Sequence, residues 1–205
     1  MIQQYAFYIN SSVCSGCKTC QMACKDKHDL DIGLLWRRVY EVSGGEWEKK
    51  DSFWKSGVFV YNLSIACNHC SLPICKKFCP AGAITKREDG IVVLNREECV
   101  GCRMCEWGCP YGSPQFDRKS GTMSKCHFCF DLIDSGQTPA CVSACPMRAL
   151  DFGSFEELKK KYHGSGKVFP LPSPSFSGPS VVIKPHRDAG RAEKEGAKIA
   201  NKEEV

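Results

Sequence analysis

Cys99-Val-Gly-Cys102-Arg-Met-Cys105-Glu-Trp-Gly-Cys109-Pro110 is the stretch on which the fold turns. Three cysteines stand two residues apart, a fourth follows after three residues, and a proline closes the run. A [4Fe–4S] cube presents four iron corners, and each takes one thiolate. The Cys-x2-Cys-x2-Cys part is one tight loop that reaches three corners. The fourth cysteine falls on the turn that follows and points away from that loop.

Outward from this stretch the pattern recurs. Cys14, Cys17, Cys20 and Cys24 keep the same spacing near the N-terminus. Cys67, Cys70, Cys75 and Cys79 widen the middle gap to four residues and end on Pro80. Cys126, Cys129, Cys141 and Cys145 widen it to eleven and end on Pro146. The four quartets use all sixteen cysteines of the 205-residue chain, an internal repeat that organises the whole sequence. In two-cluster ferredoxins the fourth cysteine of such a run ligates the other cluster, and a proline follows it. The repeat predicts an iron–sulfur electron carrier with thiolates for four [4Fe–4S] clusters.

Two other chemistries use many cysteines. Zinc sites pair two separated Cys-x2-Cys knuckles, and three cysteines in Cys-x2-Cys-x2-Cys crowd a tetrahedral ion. Disulfide scaffolds belong mostly to short secreted chains. Met1–Asn10 has neither a basic nor a long apolar region, so no secretory signal is expected. The longest apolar runs, around 57–63 and 90–94, have strand length, so no membrane-spanning helix is expected. His69 and His127 lie inside Cys-x2-Cys loops, but the cysteines already fill every corner, so both read as loop residues. Trp107, between two ligands of the third quartet, reads as a shield against water.

The formal charge is +5 with the cysteines counted neutral. Sixteen thiolates and four doubly positive cores bring the assembled protein to about −3. The basic excess therefore reads as compensation for cluster charge. Lys18, Lys25, Lys27, Lys76, Lys77, Arg103 and Lys125 all lie within a few residues of a cysteine. Outside these loops the basic residues form no long patch, so no nucleic-acid partner is expected. Arg103, together with nearby lysines, is expected to raise the potential of the cluster held by Cys99, Cys102 and Cys105.

Short strands are expected at 4–9, 58–63, 83–87, 91–94 and 150–152, with a two-residue hairpin turn at Asp89-Gly90. Ser154-Phe-Glu-Glu157 reads as a capping box opening a helix to about Lys161. After Gly164 the prolines 170, 172, 174 and 179 forbid a long regular element. A further strand is possible at 181–183, and 188–205 reads as a mobile or partner-bound tail. The fold class is α+β with a thin core in which the clusters hold the chain together. The spacing leaves the pairing of quartets open. The second and third, 19 residues apart across the hairpin, look like one ferredoxin with the first and fourth nested around it. The competing pairing, first with second and third with fourth, is not excluded by the 16 residues between Cys109 and Cys126.

Beyond the ligands the sequence resembles the iron–sulfur (electron-transfer, B) subunits of anaerobic dimethyl sulfoxide reductases, enterobacterial type. The matching residues include Gln4-Tyr5, the loop 14–20, Leu63-Ser64-Ile65 before Cys67-Asn68-His69-Cys70, and Lys86-Arg87-Glu88-Asp89-Gly90. They also include Cys109-Pro110-Tyr111-Gly112, Arg148-Ala149-Leu150-Asp151-Phe152-Gly153 and Val182-Ile183-Lys184-Pro185. The resemblance implies two nested ferredoxin-like units: 1–57 plus 119–163 outside, 58–118 inside, then a Pro-rich and charged tail at 164–205. It implies the ligand sets Cys14, Cys17, Cys20, Cys145; Cys67, Cys70, Cys75, Cys109; Cys79, Cys99, Cys102, Cys105; and Cys24, Cys126, Cys129, Cys141. In related nitrate reductase subunits a tryptophan replaces the second cysteine of the third quartet and leaves a [3Fe–4S] cluster; Cys102 keeps the cube here.

The resemblance further implies a heterotrimer. A molybdopterin-containing catalytic subunit reduces dimethyl sulfoxide and related S- and N-oxides, and an integral membrane anchor oxidises menaquinol in anaerobic respiration. This subunit passes electrons between them and is not itself an enzyme. It would sit peripherally on the periplasmic face of the inner membrane, exported with a twin-arginine partner. The alternatives are the same role in a tetrathionate, polysulfide or formate system, a free-standing soluble ferredoxin, or a zinc-binding interaction module.

Overall fold

The computed structural model describes residues 4–205, so Met1–Gln3 of the N-terminal stretch lie outside the described residues. The elements are short. In chain order they run β1 (Tyr5–Asn10), α1 (Thr19–Lys27), β2 (Arg38–Gly44), β3 (Trp47–Lys50), β4 (Phe53–Ser56), β5 (Phe59–Ile65), α2 (Ile74–Lys77), β6 (Ile84–Lys86), β7 (Val92–Leu94) and α3 (Met104–Gly108). There follow β8 (Gln115–Asp117), β9 (Thr122–Ser124), α4 (Phe130–Asp134), α5 (Ala140–Ser143), β10 (Leu150–Ser154), α6 (Phe155–Tyr162), β11 (Val181–Lys184), α7 (Ala189–Lys194) and β12 (Lys198–Ile199). The protein is a mixed α and β chain whose cysteine loops lie between these pieces.

β1 is the middle strand of a sheet, antiparallel to β10 and parallel to β11. An alternating sequence at this position suggests one wet face, but the strand is buried on both. Phe7 and Ile9 face the main core, whereas Ala6 and Tyr8 lie under α6 with Leu158 and Val182. Tyr162 of α6 stacks on Tyr8 with ring centroids 3.6 Å apart. Pairing of Tyr5 with Ser154 joins the segment before the first quartet to the segment after the fourth. The α1 helix packs on α5, which brings the first and fourth quartets together, and α2 packs on α3, which does so for the second and third.

A second sheet has the order β12-β2-β5. β2 and β5 pair over seven residues, from Arg38 opposite Ile65 to Gly44 opposite Phe59. One face carries Val42, Tyr61, Leu63 and Ile65 into the main core, and Val39, paired with Ser64 on the opposite face, belongs to the same core. Cys20, Cys24, Cys67, Cys126, Cys141 and Cys145 belong to the same cluster, so ligands and core are one body.

Three expectations change. The hairpin β6–β7 does not turn on two residues: Lys86 pairs with Val92, and the Arg87 N–H reaches the Ile91 carbonyl at 2.9 Å, which leaves Glu88, Asp89 and Gly90 as the loop. Gly90 takes the left-handed conformation (φ +84°) that a three-residue loop needs, and the Gln4 side chain fills the space where a Cβ would be. Ser154 makes no side-chain cap to α6. It is also the last residue of β10, paired with Tyr5, so the sheet sets its direction. The 188–205 segment is not loose: Ala189, Ala192 and Ala197 are buried in the core, and β12 completes the second sheet.

Candidate iron–sulfur sites

The ligand loops share one backbone feature. The residue just before the second cysteine of every quartet has positive φ: Gly16 at 74°, His69 at 41°, Gly101 at 67° and Phe128 at 64°. Glycine adopts this freely, but a side chain there costs about 1–2 kcal/mol. His69 and Phe128 are held in it by burial, at 1% and 0% exposure, and by packing edge to face on one another with centroids 5.2 Å apart. Lys18, Arg103 and Cys129 are left-handed too, each immediately before a helix. Such turns point successive N–H groups into the loop and make a concavity for negative charge.

The thiols gather in four groups that are not the four quartets. Cys14, Cys17, Cys20 and Cys145 line one pocket, with Pro146 and Ser64. Cys67, Cys70, Cys75 and Cys109 line another, with Pro110, Lys125 and Ser177. Cys105 has Cys79, Cys99 and Cys102 as its charged neighbours. Cys24 neighbours Cys141 and Cys129, and Cys126 neighbours Cys24 and Cys129. The groups also touch in a row. Cys20 of the first pocket lies by Cys141, Cys126 lies by Cys67 of the second pocket, and Cys75 and Cys79 are one helical turn apart around α2. The two exposed cysteines, Cys17 and Cys102, belong to the groups at the ends of that row.

Burial opposes ionisation of most of these thiols. It pushes Cys24, Cys70 and Cys75 up to about 12, and Cys105 and Cys129 up to about 11, with neighbouring thiols adding to the effect. Thiolates at these positions therefore need a positively charged core. The surroundings are ready for one, because donors already point at sulfur. Backbone N–H groups of Met123, Phe128 and Ala149 reach Cys99, Cys126 and Cys145 at 3.3, 3.4 and 3.3 Å. The hydroxyls of Thr19 and Ser177 donate to Cys17 and Cys70 at 3.3 and 3.2 Å. The His69 Nδ1 accepts the Val92 N–H at 3.0 Å, so its proton sits on Nε2 and faces the Cys126 sulfur 3.8 Å away.

The donor set fits iron–sulfur cubes. All sixteen cysteines are free of disulfides. Among the described residues no three His, Cys, Asp or Glu side chains converge closely enough to hold a single ion, which a zinc site requires. The sulfurs stand around a gap instead. Buried polar atoms near them also lack partners: Arg37 Nε and Nη2, and His127 Nδ1. Inorganic sulfide and cluster-bound thiolate would supply acceptors for the two Arg37 donors.

Sequence reasoning missed three of the site's side chains. Arg37 is 1% exposed among Cys20, Cys24, Cys126 and Cys141. Ser64 stands between its guanidinium and Cys20, 3.2 Å from the Nη1 and 3.3 Å from the sulfur. Ser177, in the Pro-rich segment, covers the second pocket. Charge beside a cysteine in sequence is only a partial signal. Arg103 is paired with Glu106 at 2.7 Å on the surface, so its field at the third quartet is largely cancelled. Trp107 is 73% exposed and shields little in this chain. Of the sequence-proximal cations only Lys125 is buried, with its ammonium on the Val92 and Cys126 carbonyls at 2.5 and 2.6 Å.

Residues 58–155, which hold the second, third and fourth quartets, match the model of a 4Fe-4S dicluster domain. The sequence is 48% identical over all 205 residues, and over all of the relative, to the B subunit of the anaerobic dimethyl sulfoxide reductase of Escherichia coli. It is 45% identical over the same full length to the subunit of that name in Haemophilus influenzae. The formate dehydrogenase iron-sulfur subunit of Wolinella succinogenes is 33% identical over 174 residues, 74% of this chain and 82% of that one.

Proposed function

This protein belongs to the family of anaerobic dimethyl sulfoxide reductase B subunits, iron–sulfur electron-transfer subunits of oxidoreductase complexes, and we propose that it binds four [4Fe–4S] clusters as a single conducting row. The proposed ligand sets are Cys14, Cys17, Cys20, Cys145; Cys24, Cys126, Cys129, Cys141; Cys67, Cys70, Cys75, Cys109; and Cys79, Cys99, Cys102, Cys105. The observation that carries this reading is the row of adjoining thiol groups with an exposed cysteine at each end. Bound clusters take up and release one electron each. The protein holds them at fixed separation, buries the inner two, and aims N–H and O–H donors at their sulfur. Exposure of Cys17 and Cys102 leaves the two outer sites open to partner subunits.

On this reading the chain is two nested ferredoxin-like units, 1–57 plus 119–163 around 58–118, with 164–205 as a strap over both. The pairing of β1 with β10 and of α1 with α5 supports the outer unit, and that of α2 with α3 the inner one. The partners are a molybdopterin catalytic subunit reducing dimethyl sulfoxide and related oxides, and a quinol-oxidising membrane anchor on whose periplasmic side the protein sits. No helix among the described residues is long and apolar enough to cross a membrane, so attachment falls to that anchor. A formate system is the second reading, favoured by more distant relatives that are formate dehydrogenase iron-sulfur subunits, at 33% and 36% identity.

Purification from anaerobically grown membranes, with subunit identification and iron analysis, tests this. Co-purification with a molybdenum subunit, and about sixteen iron and sixteen sulfide per chain, is the expected result. Recovery of the protein alone and soluble refutes the complex, and a formate-oxidising partner replaces the first reading with the second.

A further inference from the structure

We propose that Arg37 is a buried counter-ion shared by the two adjoining sites of Cys14, Cys17, Cys20, Cys145 and Cys24, Cys126, Cys129, Cys141, holding both potentials up through its charge and its hydrogen bonds to sulfur. This rests on the four-cluster reading above. The first support is burial without a partner. Arginine is almost never fully buried unless paired, yet Arg37 is 1% exposed and forms no salt bridge among the described residues. Its guanidinium carbon lies 4.6 Å over the Phe7 ring, an apolar seat that leaves the charge unmatched. Among the described residues the one hydrogen bond from its guanidinium goes from Nη1 to the Ser64 hydroxyl at 3.2 Å, while Nε and Nη2 are buried and find no acceptor there.

The second support is what surrounds it. The guanidinium lies among the sulfurs of Cys141, Cys20, Cys126 and Cys24, drawn from both sites, whose negative charge as cluster thiolates would act on it. Ser64 relays the Arg37 side chain to the Cys20 sulfur 3.3 Å away. A cube with four thiolates goes from net −2 to −3 on taking up an electron. A fixed positive charge beside it therefore favours the reduced form. Because this cation faces two neighbouring sites, it also screens the repulsion between electrons resident on both. Lys125, the other buried cation of the site, differs in spending donors on two backbone carbonyls. Arg37 keeps its donors for sulfur, which makes it a positioning residue for the electron path.

The test is an EPR-monitored redox titration of the intact complex with Arg37→Met, Arg37→Lys and the native protein. Arg37→Met is expected to keep its iron and sulfide and to lower the midpoint of two clusters while the other two hold. Arg37→Lys is expected to recover most of that shift. Full cluster content with all midpoints unchanged overturns the proposal, and so do equal shifts in the Met and Lys variants, which make Arg37 a packing residue only. If Arg37→Met loses iron, Ser64→Ala decides. It removes the bridge to Cys20 without touching charge, so a downward shift in one cluster supports the proposal and no shift overturns it. Fewer than four clusters in the native protein would instead sink the four-cluster reading, which iron and sulfide analysis detects separately.

Discussion

Ser177→Ala probes whether the Pro-rich segment is part of the electron path. Ser177 is 1% exposed and donates to the Cys70 sulfur at 3.2 Å. Its segment is sewn to the second cysteine loop by backbone bonds, from Ser71 N–H to the Gly178 carbonyl at 2.7 Å and from Ser180 N–H to the Asn68 carbonyl at 2.9 Å. A hydrogen bond to a charged acceptor is worth about 1.5–3 kcal/mol. Only the part that strengthens on reduction moves the potential. If that is about a third, the variant loses about 0.5–1 kcal/mol of preference for the reduced state. At about 59 mV per 1.4 kcal/mol for one electron, the midpoint falls by about 20–40 mV. The assay is a redox titration followed by EPR, and the cluster proposed for Cys67, Cys70, Cys75 and Cys109 should move alone. Ser71→Ala is the control, because its hydroxyl contacts the Gly178 carbonyl at 3.1 Å on the same seam but no sulfur. An unchanged midpoint in Ser177→Ala, or an equal shift in Ser71→Ala, refutes the reasoning.

Further predictions concern stability and assembly. Leu63→Ala, at 0% exposure on the inner face of β5, should cost about 2–5 kcal/mol in anaerobic denaturant unfolding of the loaded protein. Trp54→Ser, on a hairpin whose residues are all exposed, should stay within about 0.5 kcal/mol in the same assay. Oxidative removal of the clusters should abolish near-UV circular dichroism, because six cysteines are members of the main core, and reconstitution with iron and sulfide should restore it. A cluster-free protein that kept a cooperative unfolding transition would contradict this.

What could be read from the sequence is what local spacing determines. Ligand type, the short strands near 4–9, 58–63, 150–152 and 181–183, and the helix after Ser154 all follow from neighbours along the sequence. Features set by distant partners were invisible. Arg37 stands just ahead of β2, next to its first residue Arg38, a charged pair that reads as surface. Arg37 is buried because thiols from residues 20, 24, 126 and 141 converge on it, a meeting no window contains. The C-terminal segment failed for the opposite reason. It docks through Ala189, Ala192 and Ala197, whose small side chains give a weak hydropathy signal amid many charges. At Asp89-Gly90 the turn residues were right, but register, set by pairing Lys86 with Val92, made the loop three residues long.

The same contrast decides how cluster charge is balanced. Sequence proximity pointed to a ring of basic residues around the loops. Three of those are matched by carboxylates in the structure: Lys18 by Glu204, Lys27 by Asp131 and Arg103 by Glu106. Their net fields are dipolar, and salt screens them within about 10 Å at 0.1 M. A charge inside the protein acts at an effective dielectric near 20, against about 80 in water, so one buried cation outweighs an exposed one about fourfold at equal distance. Three cations are so placed among the described residues: Arg37, Lys125 and Arg38, at 1%, 3% and 7% exposure, with Arg38 donating to the Tyr111 carbonyl. Arg37 lies between the first and fourth quartets. Lys125 lies beside Cys126 and lines the pocket of Cys67 and Cys75, the next junction of the row. Compensation is thus concentrated at the joints between neighbouring sites, where the repulsion between successive electrons is greatest. Raising the ionic strength should accordingly leave the inner potentials almost fixed while moving those of the sites that carry Cys17 and Cys102. Equal salt dependence at all four sites, read in the same titrations, would place the compensation back on the surface.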